Sequence, residues 1–129
     1  MKILHIDDEE SITEVIGTFL EIEGYEYESA NNGREGLELI KVNHYDVVLL
    51  DLNMPEFSGF DVIDSLVSDD IINNQKIVLF SAIILTPEQM GNLNKAGVNA
   101  IIRKPILNDS LLARLQKIEQ ENNLSPNLG

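Results

Sequence analysis

Short apolar runs recur along the chain at residues 3–6, 47–50, 77–80 and 100–102. Each is continuous, the pattern of a strand buried on both faces. A fifth segment, residues 25–30, alternates apolar and polar positions, as an edge strand or one covered on a single face does. Helical periods fill the gaps. Ile12, Val15, Ile16, Phe19 and Leu20 form a full i, i+3, i+4, i+7, i+8 stripe, and Gly24 closes that helix. Leu37 and Ile40, with Gly33 just ahead of them, mark a second helix. Val62, Ile63, Leu66 and Val67 mark a third. Thr86-Pro87-Glu88-Gln89 opens a fourth, with Thr86 as N-cap, Pro87 at the first helical position and Gln89 completing a capping box. Its apolar stripe is thin: Met90, Leu93 and Ala96. Leu111, Leu112, Leu115 and Ile118 mark a fifth, opened by Asn108 or Asp109. Strand and helix alternate five times. That order predicts an α/β fold, a doubly wound parallel sheet with helices on both faces, because right-handed crossovers leave little else.

Length and charge narrow the function classes. At 129 residues the chain is one ordinary domain with a core of its own. It has no cysteine, which excludes disulfides, thiolate metal sites and cysteine nucleophiles. Nine Lys plus Arg against 22 Asp plus Glu give a net charge of −13. Such a surface repels phosphate backbones and anionic membranes, so neither nucleic acid nor membrane is an expected partner. The longest apolar runs, about five residues, fall far short of a membrane span. The acidic cluster after Ile6 comes too soon for a signal peptide. The expected location is cytoplasmic.

The candidate chemistry follows the strands. Asp7-Asp8 comes after the first, Asp51 after the third, Ser81 after the fourth and Lys104-Pro105 after the fifth. In open parallel sheets the carboxyl edge of the strands is where ligands bind. Taken singly, each item is an ordinary cap or turn. Independent caps need not all fall after sheet strands in this order, so the conjunction carries the weight. Three carboxylates brought together need a cation to stay ionised. Magnesium suits all-oxygen ligands, with manganese as a substitute. Three carboxylates, one dication and Lys104 cancel formally, leaving a site ready for a phosphoryl group. Asp51 is suited to be the nucleophile, with Ser81 and Lys104 neutralising the transferred oxygens.

On these residues the sequence resembles the receiver domain of two-component response regulators, close to the single-domain chemotaxis regulators. The motifs are Ile6-Asp7-Asp8-Glu9, residues 46–55 ending in Asp51-Leu52-Asn53-Met54-Pro55, Gly59, Phe80-Ser81-Ala82 and Lys104-Pro105. The resemblance covers residues 1–122, leaving 123–129 as a C-terminal tail or the start of a linker. It implies the flavodoxin-like strand order 2-1-3-4-5. It implies Asp51 as phosphoacceptor, with Asp7, Asp8, Asp51 and the Asn53 carbonyl as Mg²⁺ ligands. Ser81 becomes the switch hydroxyl. Lys104 becomes the phosphoryl's salt-bridge partner, followed by a cis peptide. The implied partners are a histidine kinase or histidine phosphotransfer protein and a phosphorylation-dependent protein partner. The implied state is a monomer or a weak phosphorylation-dependent dimer. The domain would not be an enzyme beyond its own phosphorylation and dephosphorylation. One position departs: Ile101 stands where the family usually carries the aromatic switch, and isoleucine has no ring to swing.

Two rivals fit less well. A Mg²⁺-dependent phosphohydrolase with Asp51 as nucleophile commonly has a second acid two residues later, where this chain has Asn53. A flavodoxin-like cofactor binder needs a glycine-rich phosphate loop after the first strand, where this chain has Asp7-Asp8-Glu9-Glu10. Among other residues, His5 reads as a satisfied core histidine, His44 as part of a surface loop and Asp69-Asp70 as a solvated helix end.

Overall fold

The apolar runs become five parallel strands: β1 (Lys2–Ile6), β2 (Glu26–Ala30), β3 (Val47–Leu50), β4 (Ile77–Ser81) and β5 (Ala100–Arg103). A computed structural model of the chain describes the backbone of residues 1–128 and the side chains of residues 1–121. The strands pair in the order β2-β1-β3-β4-β5, so β2 and β5 are the edges. The expected topology is therefore the observed one. All four residues of β3 are fully buried, as its continuous apolar run requires.

Five helices cover the sheet: α1 (Glu10–Ile22), α2 (Gly33–Val42), α3 (Gly59–Ser68), α4 (Pro87–Ala96) and α5 (Asn108–Leu128). Alternation along each strand sorts the core into two layers. Ile3, Val47, Leu49, Val78 and Phe80 pack with Ile16 and Leu20 of α1 and Leu111, Leu115 and Ile118 of α5. Leu4, Ile6, Val48, Leu50 and Leu79 pack with Leu37 and Ile40 of α2, Val62, Ile63 and Leu66 of α3, and Leu93 of α4. Gly24 ends α1 with φ of 95°, a conformation that glycine adopts freely. The expected tail at 123–129 lies outside the residues whose side chains are described, although α5 is helical as far as Leu128.

The helix faces differ from the expected stripes in three places. In α1 the buried residues are Thr13, Ile16, Gly17 and Leu20, while Val15 is 61% exposed. Ile12, Ile16, Phe19 and Leu20 still pack on the core, and the buried face extends to Thr13 and Gly17 instead of Val15. Tyr27 explains the shift. Its ring fills the space where a Cβ on Gly17 would sit, and its hydroxyl donates to the Thr13 carbonyl at 2.9 Å. Val67 and Met90 are likewise exposed, so α3 keeps three large apolar anchors and α4 keeps only Leu93. Tyr45 is a core residue that its polar neighbours His44 and Asp46 concealed. It is 1% exposed, and its hydroxyl donates to Glu28 Oε1 at 2.8 Å.

Candidate functional site

Strand register brings the expected residues to one edge. Ile6 pairs with Leu50 and Leu50 with Leu79, so Asp7 and Asp51 emerge side by side. The Asp51 N–H donates to the Ile6 carbonyl at 3.0 Å, and the Lys104 N–H donates to the Ser81 carbonyl at 2.9 Å. These ladder bonds run one residue past the strand ends and hold the side chains in place.

Asp7 is fully buried. Its Oδ1 accepts from the Glu9 N–H at 3.0 Å, a turn that feeds the chain into α1. Its Oδ2 accepts from Lys104 Nζ at 2.6 Å. Asp51 is 5% exposed; its Oδ1 accepts from Ser81 Oγ at 2.8 Å and from the Asn53 N–H at 3.2 Å. Among the described residues its Oδ2 carries no hydrogen bond, with Lys104 Nζ 3.7 Å away. Asp8 is exposed, yet Asp7, Asp8 and Asp51 each present an oxygen within 4.8 Å of the others. Asn53 is exposed beside them, and the Lys104–Pro105 peptide is cis. Every residue proposed from the sequence for the site is thus at this edge.

The surrounding loop is shaped by close packing. A Cβ on Gly59 would collide with the Asp51 carbonyl oxygen, so only glycine lets α3 start this near. Met54 is buried, and Arg34 stacks over the Phe57 ring at 4.5 Å, tying α2 to the loop.

Burial sets the electrostatics. It pushes the Asp51 carboxyl above its ordinary value; the bond from Ser81, Lys104 and the Asn53 N–H counter this, and Asp7 adds to it. The donor set is three carboxylates against one ammonium, all oxygen and partly open to water. It fits a hard divalent cation of the magnesium class.

A second layer of polar groups behind Asp7 was not anticipated. His5 is fully buried, and its Nδ1 lies 2.7 Å from the Tyr27 hydroxyl. Asn31 Nδ2 donates to the Asp7 carbonyl at 3.0 Å and to Thr13 Oγ1 at 3.3 Å. His5 is a core residue, as expected, but only half satisfied: among the described residues Nε2 has no hydrogen-bond partner. Burial lowers its pKa to about 4 against the opposing pull of Asp7. A histidine inside an apolar run was the one signal of this layer.

A family model for the response regulator receiver domain matches residues 3–116. The chain belongs to that family. Among relatives of this receiver domain, an uncharacterised transcriptional regulatory protein, YkoG of Bacillus subtilis, is 34% identical over 120 residues, 93% of the chain and 51% of that protein. The chain spans about half the length of the curated relatives it matches. Among solved structures, Vibrio cholerae chemotaxis protein CheY4 superposes with a TM-score of 0.80 at 29% identity, covering 91% of this chain and 97% of that one. The Thermotoga maritima response regulator TrrA, solved in complex with Mg²⁺-BeF, gives 0.74 at 31% identity over 91% of this chain and 97% of that one. Among the described residues, no helix of the receiver is long and apolar enough to cross a membrane.

Proposed function

We propose that this receiver domain takes a phosphoryl group onto Asp51 from a phosphohistidine of a kinase or phosphotransfer protein, and that phosphorylation switches its binding to a protein partner. One observation carries this: the buried Asp51 carboxylate clusters with two further acids, accepts a hydrogen bond from the Ser81 hydroxyl and lies 3.7 Å from the Lys104 ammonium. The Mg²⁺-BeF complex of the similar TrrA supports it.

Asp7, Asp8, Asp51 and the Asn53 carbonyl would hold Mg²⁺ or Mn²⁺, which would supply charge neutralisation for the transferring oxygens. Asp51 Oδ2, the oxygen free of hydrogen bonds, attacks phosphorus. A P–O bond forms, the P–N bond breaks, and the leaving imidazole takes up a proton. Lys104 Nζ then exchanges Asp7 Oδ2 for a phosphoryl oxygen. The Ser81 hydroxyl leaves Asp51 Oδ1 for another, a charge-assisted bond worth about 1.5–3 kcal/mol. That is enough to bias two conformers separated by a few kcal/mol. Helix α4, which follows Ser81 and is thinly packed, is the element that shifts. The domain acts in the cytoplasm and turns over no external substrate.

Incubation with acetyl phosphate and Mg²⁺ is expected to add one alkali-labile phosphoryl mass. Asp51→Asn and Asp8→Ala are expected to abolish it. Wild-type labelling of D51N would remove Asp51 from its role, and labelling of D8A in Mg²⁺ would remove the metal assignment.

A further inference from the structure

His5 sits in the second layer with a ring nitrogen that nothing yet explains. Hydrogen-bond accounting fixes its tautomer. The Tyr27 hydroxyl lies 2.9 Å from the Thr13 carbonyl, which has no proton to give, so Tyr27 donates there. That spends its only proton. The 2.7 Å contact between Tyr27 Oη and His5 Nδ1 is therefore a bond in which Nδ1–H donates. His5 is 0% exposed and packs against the Tyr27 and Phe80 rings, with ring centroids 6.0 and 5.7 Å away. With the ring proton on Nδ1, Nε2 is the acceptor of the imidazole. Among the described residues Nε2 has no hydrogen-bond partner, and it lies 3.8 Å from Asp7 Oδ2. Two buried acceptors thus face each other at the acid cluster. Such an arrangement is costly unless one donor serves both. Lys104 Nζ bonds Asp7 Oδ2 but makes no bond to Nε2.

Resting on the function proposed above, we propose that His5 is a positioning residue for the cation site: its bare Nε2 accepts a hydrogen bond from water bound to the divalent cation that Asp7, Asp8 and Asp51 hold. Water on a dication is a strong donor, since the ion acidifies its protons. Groups of this second kind orient the first and are worth 10–100-fold in metal affinity in typical sites. Tyr27 belongs to the same device, because its hydroxyl keeps the proton on Nδ1 and off the face turned to Asp7.

The test uses the full chain with ¹⁵N-labelled histidine, titrated with MgCl₂ alone. The expected spectrum shows His5 Nδ1 protonated and Nε2 bare, with the Nε2 resonance moving on Mg²⁺ addition and Nδ1 staying. Mg²⁺ affinity is expected to fall about tenfold in His5→Phe. It should also fall in Tyr27→Phe, which keeps the histidine but frees its tautomer. Melting without Mg²⁺ separates this from loss of fold: His5→Phe should be no less stable than wild type when no metal is present. A protonated Nε2 in the wild type, or unchanged Mg²⁺ affinity in both variants, would overturn the assignment of His5 while leaving the acid cluster intact. Absence of Mg²⁺ binding by the wild type would overturn both. If His5→Phe does not fold, the wild-type spectrum and Tyr27→Phe decide the matter.

Discussion

Helices α3 and α4 are both ten residues long, and both open with a complete capping box, Ser58 with Asp61 and Thr86 with Gln89. They differ in what they bury. α3 seats Val62, Ile63 and Leu66 against the sheet, and its Gly59 N–H bonds the Leu52 carbonyl under the Asp51 loop at 3.1 Å. α4 seats Leu93 alone and leaves Met90 39% exposed. Caps decide where a helix begins; tertiary packing of its apolar face decides whether it stays put. The side of the site made by β1, β3 and α3 is therefore anchored, whereas α4, which follows the fully buried strand β4, is held by one large apolar residue. On the function proposed above, an acceptor that must be fixed and a surface that must respond would be separated in this way on one sheet.

Core truncation gives the largest expected contrast. Leu66→Ala should cost about 3–5 kcal/mol of global stability and Leu93→Ala about 2 kcal/mol, measured by denaturant unfolding. Equal losses would break the comparison. Acid comes next and tests the anchored half. The pKa of His5 falls from 6.5 unfolded to about 4 folded, so the folded chain binds fewer protons between those values. Stability should be unaffected by His5 above pH 6.5 and should fall as pH drops toward 4, by roughly 1 kcal/mol per pH unit. The raised Asp51 carboxyl acts with opposite sign, returning stability as it takes up its proton. His5→Phe should remove the first effect and keep the second; an unchanged pH profile would show that His5 is not held neutral.

Cap removal is expected to be smaller, about 1 kcal/mol for Ser58→Ala or Thr86→Ala. The two should differ in where they appear. Thr86→Ala should speed hydrogen exchange within α4 alone, whereas Ser58→Ala should register in global unfolding. The smallest effect is expected at Ile101. Its side chain is half-buried against the α4 side of the sheet, and Ile101→Val should cost about 1 kcal/mol or less. It should leave intact the phosphorylation-dependent change in exchange over residues 81–104, and Ser81→Ala should abolish that change. The reverse result would place the switch on the isoleucine.

Strands β1, β3 and β4 were legible because full burial on both faces leaves continuous apolar runs, β5 kept such a run although it is a half-buried edge strand, and the strand ends then delivered Asp7, Asp51, Ser81 and Lys104 in order. What the sequence hid depends on partners far along the chain. Tyr27 meets His5 and Thr13 across separations of 22 and 14 residues, and no local pattern announces that. The same contact extends the buried face of α1 beyond its apolar stripe, so Thr13 and Gly17 are buried while Val15 is not. Tyr45 was missed because an aromatic between polar neighbours looks like a loop until Glu28 supplies its partner. It also could not be read that Lys104 rests on Asp7 rather than Asp51, since that is a matter of distances of 2.6 and 3.7 Å.

Edge strand β2 has a consequence for behaviour in concentrated solution. Its outer side offers unpaired peptide groups, a template on which a second chain can add as another strand. Glu26 and Glu28 stand on that strand, and Glu28 is pinned by Tyr45 Oη, so its charge does not swing aside. Two copies meeting edge to edge would press like carboxylates together, on top of the repulsion between chains of net charge −13. The glutamates of this edge strand are thus also a guard against runaway sheet growth, and neutralising both is expected to turn this margin of the molecule into a nucleus for aggregation.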